Sequence, residues 1–348
     1  MFSDHRPIKI SWSQPNKTAR SSFRFLQAWT TYEDCREVIA SSWARPTDSI
    51  GLAKLAAKLG TLKKDLQFWN RHRLGRIDRR VEEKRRVLER LEEAQLQEPT
   101  IVDTRSLQQA QIDYEKELVA EELLFQQKAG IKWAEEGERN TKYFQRYIAK
   151  KKTAAQIQRI KGPDGNWLVG DQIADSAIQF FQKLYREEPG VQRTQLDGTL
   201  FEMVEQEIDL AEDTEHCEVL TALSDMEPWS VAGPDGYQAG FYKTYWDIVG
   251  GDVVEAVQDF IKGSSLPRAF RATTIVLIPK KQGPQGWTDF RPISLTHVFC
   301  RLLSKVMVNR IVDIMPRLVS QEQVGFMSER LIHDNILLAR ELAFHINR

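Results

Sequence analysis

Cysteine is scarce and scattered. The 348 residues hold three, Cys35, Cys217 and Cys300, and no Cys-x-x-Cys spacing occurs. That gives a zinc site no support and points to a reducing, intracellular setting, cytoplasmic or nuclear. No apolar run approaches the ~20 residues a membrane helix needs, and the N-terminus carries no signal-peptide core. No two aspartates are adjacent anywhere in the chain. Lys and Arg are missing from Thr194 to Tyr242, an acidic stretch, whereas Arg139 to Lys161 holds eight basic residues and no acid. The balance of 49 basic against 49 acidic side chains therefore conceals charge blocks. Such blocks bear on a nucleic-acid partner, although a solvated helix face explains the acidic one as well.

What is present is mainly helical periodicity. Phe23-Arg24-Phe25 to Trp43 is a short aromatic and helical segment, broken at Ala44-Arg45-Pro46-Thr47. From Leu52 to about Leu96 the apolar stripe persists, with Leu55, Leu66, Ile77 and Leu88 eleven residues apart. Eleven residues make three turns, so this predicts one helix of about 65 Å, with Asp48 or Ser49 as its cap. A second helix, Thr104 to Lys128, favours an antiparallel hairpin with it; a coiled-coil dimerisation arm is the alternative. Arg71, Arg73, Arg76, Arg79 and Arg80 suit nucleic acid, or equally intrahelical pairs with Asp78, Glu82 and Glu83.

The next unit interleaves cations with aromatics: Arg139, Lys142, Tyr143, Phe144, Arg146, Tyr147, then Lys150, Lys151 and Lys152. Cations hold phosphates while aromatic faces accept unstacked bases, unless those aromatics pack in a core. Gln156 to Val169 reads as a hairpin around Gly162-Pro163-Asp164-Gly165-Asn166. A helix from Asp171 to about Arg186 should pack Ile178, Phe180, Phe181, Leu184 and Tyr185. Glu187 to Thr199 reads as a linker, and Glu202 to Met226 as acidic and mostly helical. A second Gly-Pro-Asp-Gly, Gly233 to Gly236, precedes Phe241, Tyr242 and Trp246 and reads as a turn before a helix.

The stretch from Leu266 to Asn335 organises the chain. Thr274-Ile275-Val276-Leu277-Ile278-Pro279 is β-branched, bounded by Pro and Gly, and reads as a buried strand closed by Lys280 and Lys281. Asp289-Phe290-Arg291-Pro292-Ile293-Ser294-Leu295 returns beside it, followed by a long amphipathic helix. Gln323-Val324-Gly325-Phe326, Arg330, Asp334 and Asn335 come after. Between Leu266 and Val312 stand eight Lys or Arg and one acid, Asp289. A basic two-stranded finger suits a polyphosphate or a nucleic-acid backbone.

Taken in order, these motifs resemble the fingers region of reverse transcriptases from plant LINE-type, non-LTR retrotransposons. The resemblance implies that Arg291, with Lys280 and Lys281, grips the triphosphate of an incoming nucleotide. It implies that Asp235 and Gly236 lie on a loop approaching the template, and that Gln323, Gly325, Phe326 and Arg330 run along the template and nascent pair. The basic tail Arg139, Lys142, Arg146, Lys150, Lys151 and Lys152 would add nucleic-acid binding. Met327-Ser328-Glu329 departs from the family pattern of a small residue and Gly. Ser3-Asp4-His5, before Pro7, is similar to the last motif of the endonuclease that precedes the polymerase in LINE proteins. There Asp4 would orient the ring of His5 toward a scissile phosphate, with the rest of that site expected before Met1.

The resemblance also implies Mg2+ chemistry for an intact enzyme, held by aspartates that do not occur here, and no cofactor bound by the fragment itself. The expected fold is α-rich α+β: a long antiparallel helical hairpin, then a partial reverse-transcriptase fingers region with β-hairpins. The expected division is an endonuclease remnant at 1–14, a linker at 15–50, the helical hairpin at 51–130, a basic unit at 131–195 and fingers without a palm at 196–348. The expected function is a retrotransposon-protein fragment related to RNA-directed DNA polymerase, inactive alone, with an RNA template and a DNA target as partners and no membrane. The alternative is a non-catalytic helical interaction protein that self-associates through the hairpin.

Overall fold

The computed structural model describes residues 22–97, 103–130, 141–154, 156–186, 214–320, 323–325, 327 and 330–346. The chain is helix-rich, with two small antiparallel sheets. A 3-10 turn at Gln27–Thr31 leads into α1 (Glu33–Trp43), α2 (Gly51–Trp69), α3 (Ile77–Gln97), α4 (Thr104–Ala129) and α5 (Thr141–Ala154). Strands β1 (Arg159–Lys161) and β2 (Trp167–Val169) precede α6 (Asp171–Leu184). Then come α7 (His216–Ser224), α8 (Ala239–Thr244), α9 (Trp246–Ile261) and α10 (Arg268–Arg271). Strands β3 (Thr274–Pro279) and β4 (Phe290–Leu295) are followed by α11 (Val298–Ile311), α12 (Met315–Leu318) and α13 (Ile332–Ile346).

One hydrophobic core joins the aromatic segment near residue 23 to helices more than two hundred residues later. On α2 the buried stripe is Leu52, Leu55, Leu59, Leu62, Leu66 and Trp69, spaced alternately three and four. That spacing keeps one face of a helix inward. The helix begins at Gly51 without a side-chain cap from its own approach. Neither Asp48 nor Ser49 supplies one, contrary to expectation. Instead Glu255 accepts from Gly51 N–H at 2.9 Å and Asp259 from Leu52 N–H at 2.9 Å. Two carboxylates of α9 thus satisfy amides that a helix start leaves unpaired, where the helix dipole favours negative charge. Lys54 and Lys58 then clamp Asp252, each at 2.7 Å. Burial would raise the Asp252 carboxyl, but the two ammonium groups hold it below its ordinary range.

The single helix expected from Leu52 to Leu96 is two helices. Gly75 donates to Asn70 O at 2.8 Å, closing a π turn over Asn70–Leu74, and Gly75 itself has φ +69°. Only glycine adopts that backbone cheaply, so the chain turns here. The eleven-residue stripe concealed the break because Leu74 and Ile77, on either side of it, are both buried. Consequently α2 packs with α1 and α9, and the antiparallel hairpin is α3 with α4. Arg80 pairs with Glu117 and Lys84 with Asp113, both at 2.7–2.8 Å, so one number rises as the other falls.

A second, smaller cluster gathers Ile160, Trp287 and Phe290, with Phe180, Phe181 and Leu168 against them. The β1–β2 ladder pairs Ile160 with Leu168. Lys161 N–H donates to Gln285 O at 2.7 Å, and Trp287 Nε1 donates to Ser176 Oγ at 3.0 Å. Thus the small hairpin and α6 seat on the tip of the β3–β4 hairpin. Within α6 only part of the expected stripe packs: Ile178, Leu184 and Tyr185 stay exposed.

The β3–β4 pairing runs from Thr274↔Leu295 to Pro279↔Phe290. The strand expected to be buried is open: Ile275 and Val276 are each 41% exposed and Ile278 47%. A two-stranded ribbon has two faces, and of β3 Leu277 alone, among the described residues, is partly buried, against the second cluster.

Candidate nucleotide and nucleic-acid interface

The β3–β4 turn is built around one acid. Asp289 Oδ2 accepts from Gln285 N–H at 2.9 Å and Gly286 N–H at 3.2 Å, while Oδ1 meets Lys281 Nζ at 2.8 Å. The Lys281 contact, aided by the two amides, draws the Asp289 carboxyl down to about 2. Lys280 continues the ladder, its N–H donating to Asp289 O at 2.7 Å and its ammonium to Thr288 O at 2.9 Å. Arg291 sits opposite Ile278 and is exposed. Side chains alternate along a strand, so Lys280, Ile278 and Arg291 fall on one face by register. The three cations named from the sequence therefore divide. Lys281 is neutralised within the turn, Lys280 is held by a carbonyl, and Arg291 has no ion pair or side-chain hydrogen bond among the described residues.

The Gly-Pro-Asp-Gly stretch forms a turn before a helix, with Gly236 N–H donating to Gly233 O at 3.1 Å ahead of α8. Gly236, at φ +87°, is buried, and a Cβ there would stand 2.1 Å from Phe23 O. Phe25 N–H donates to Gly236 O at 2.9 Å. The loop is thus covered by the aromatic segment, which leaves Gly236 no face for a template. Asp235 Oδ2 lies 3.2 Å from His297 Nδ1 at the start of α11. Arg301, one turn on, donates to Val231 O at 3.1 Å. Burial lowers the Arg301 guanidinium, and nearby Asp235 partly offsets that.

In α5, Arg146 and Lys150 are exposed. Lys151 Nζ donates to Ala129 O at 3.0 Å, so it caps the C-terminal end of α4, where a cation is favoured. Phe144 is buried, so its ring is not open to a base. The side chains of Lys142 and Lys152 are outside the described ones, as are residues Asp4, His5, Arg139 and Phe326. Gln323 is exposed and its amide donates to Gly325 O at 3.3 Å. Arg330 turns its guanidinium onto the chain itself, donating to Gln323 O at 2.8 Å and to Pro316 O and Val319 O, each at 3.4 Å. Of the arginines between 71 and 80, Arg76 pairs with Asp78 and Arg80 with Glu117, whereas Arg71 and Arg73 are exposed.

Among the described residues no group of three or more His, Cys, Asp or Glu side chains converges. No helix among them is long and apolar enough to cross a membrane.

The site is thus a basic β-hairpin on a helix-rich body, with its arginine outward. No family model matches the chain. The chain is similar to the Transposon TX1 uncharacterized 149 kDa protein of Xenopus laevis, 25% identical over 215 residues. That match covers 61% of this chain and 16% of that protein. The similarity relates the chain to a transposon protein.

Proposed function

We propose that the chain is the linker and fingers portion of a non-LTR retrotransposon protein, acting in RNA-directed DNA synthesis. Its role there is to hold nucleic acid and to present Arg291 and Lys280 to phosphate oxygens. The observation that carries this is the β3–β4 register, which sets Arg291, without an ion pair among the described residues, on the face of Lys280 at the end of a cation-bearing ribbon. An Arg fork holds two phosphate oxygens, and Lys supplies a point charge. The transposon similarity supports the same reading. Its partners are an RNA template and a DNA target strand. The Mg2+ of synthesis belongs with carboxylates other than those described.

The test is fluorescence anisotropy of the chain with a labelled RNA–DNA hybrid bearing a single-stranded overhang, across 50–300 mM salt. Binding should weaken steeply with salt, with a slope set by the number of phosphates neutralised. Arg291→Ala should reduce that slope by about one and weaken binding similarly for every sequence tried. Salt-independent binding, or none at low salt, would overturn the proposal. A hairpin that only self-associates would give that flat response.

A further inference from the structure

A groove of about 1220 Å3 opens at the base of the α3–α4 hairpin, away from the β3–β4 ribbon. Its walls come from three separate stretches: residues near Phe23, the π turn after α2, and the last turn of α4. Arg24, Arg71, Arg76 and Lys128 line it, and among the described residues no acid does, although Asp78 and Glu121 line the adjoining cavity. Arg76 is occupied by Asp78, with Nε to Oδ1 at 3.0 Å. The other three are exposed and, among the described residues, make no ion pair or side-chain hydrogen bond. In a chain of zero net charge, three cations from three segments around one groove, none paired among the described residues, are a local concentration of positive charge.

Each cation is mounted on something fixed. Phe23 and Phe25 are buried, so alternation along this extended segment puts Arg24 on the opposite, solvent side. Gln127 locks α4 to that segment, donating to Phe25 O at 3.0 Å and accepting from Gln27 N–H at 3.0 Å. Lys128 is the next residue, exposed at the groove. Arg71 stands in the π turn, between buried Trp69 and buried Leu74. A π turn inserted in a helical run is frequently a functional feature. The polar complement is Ser22, Gln67 and Asn70. Trp29 also lines the groove, 3% exposed, and its indole N–H has no acceptor among the described residues.

The shape and chemistry select the ligand. An open groove this large does not enclose a single small anion. A protein partner needs an apolar anchor pocket, but Phe23 and Trp29 are already used inside the core. What fits is a run of phosphates. The basic face of α5 begins where the groove ends, since Lys151 rests on Ala129 O, one residue past Lys128.

We propose that this groove is a second nucleic-acid site, in which Arg24, Arg71 and Lys128 hold the backbone phosphates of a single strand. It shares with the proposed function only the premise that the chain binds nucleic acid. The test uses the full chain and a fluorescein-labelled 20-nucleotide RNA of mixed sequence. The triple variant Arg24→Ala, Arg71→Ala, Lys128→Ala should bind about ten- to a hundredfold more weakly near 100 mM salt. Its log–log salt slope should fall by about two, the share of three single-strand phosphate contacts. Replacing the two arginines by lysine instead should keep most of the slope. Because all three side chains are exposed, the thermal melt of each variant should match that of the unchanged chain. If the triple variant keeps both affinity and slope while Arg291→Ala reduces them, the groove is refuted and the ribbon reading stands. If the unchanged chain binds no RNA at 50 mM salt, both fail.

Discussion

Gly236→Ala is the substitution on which the architecture makes its strongest demand. At φ +87° an alanine costs about 1–2 kcal/mol in backbone strain alone. The added Cβ would also stand 2.1 Å from Phe23 O and 2.8 Å from Phe23 C, backbone atoms that cannot rotate away. Residues 23–25 must therefore lift. Lifting breaks the Phe25 N–H to Gly236 O bond, at about 1 kcal/mol. It also re-exposes part of Phe23 and Phe25, each contributing about 1.5–3 kcal/mol when fully buried. With half of that burial lost, the total is about 3.5–6 kcal/mol. Urea unfolding followed by tryptophan fluorescence measures it, and limited proteolysis near Arg24 should become faster. The control is Gly75→Ala, where φ is +69° but nothing lies within 4 Å of the new Cβ. That variant should lose only about 1–3 kcal/mol, the strain by itself. Equal losses for the two, or less than about 1 kcal/mol for Gly236→Ala, would refute the claim that the aromatic segment is docked on this loop.

Two further expectations follow from particular carboxylates. Glu117, 3% exposed, accepts from Tyr32 Oη at 2.6 Å and from Arg80 Nη2 at 2.7 Å. Glu117→Ala strands a partly buried guanidinium and a phenol, and should cost about 2–4 kcal/mol in urea unfolding. In a double-mutant cycle with Tyr32→Phe the two losses should fall short of additivity, and strict additivity would count against the bridge. Asp289 has its folded carboxyl drawn down to about 2 by Lys281 and two amides. A depressed carboxyl contributes stability that is fully present above its unfolded value of about 3.9. That contribution fades as pH falls toward 2. Amide exchange at Gln285 and Gly286 should therefore stay protected to about pH 3 and rise below it, and Asp289→Asn should remove the pH dependence. Loss of protection already near pH 5 would contradict this.

Different parts of the molecule were legible from sequence to different degrees, for physical reasons. The β3–β4 and β1–β2 hairpins were readable because alternation and turn residues are local signals, and the observed registers close on those turns. The burial of β3 was not readable. A β-branched run shows what can form a strand, while burial depends on what covers it. Periodicity likewise found the buried face of α2 but missed the break at Gly75, because the stripe resumes in phase after the turn. The α2 start was out of reach altogether, since its amides are satisfied by Glu255 and Asp259 from the far side of the chain. Arg71 stood out in a cluster, but nothing local signals that Arg24 and Lys128 meet it at one groove.

The same long-range contacts change what the residues before the ribbon are. Sequence alone makes the segment near residue 23 a connector. In the structure Phe25 meets Phe241 at 5.2 Å between ring centroids and Trp29 meets Trp69 at 5.8 Å. Gln127 then reaches both Phe25 O and the Gln238 side chain, so α4 is tied to the segment and to the loop beneath it. Aromatic pairs of this kind contribute about 0.5–1.5 kcal/mol beyond the area they bury. A connector held this way does not swing. Its consequence is geometric: the α3–α4 hairpin projects from the body in one direction. The hairpin base is fastened to the large core in this way, whereas the β3–β4 ribbon packs through Trp287, Phe290 and Leu277 in the second, smaller cluster.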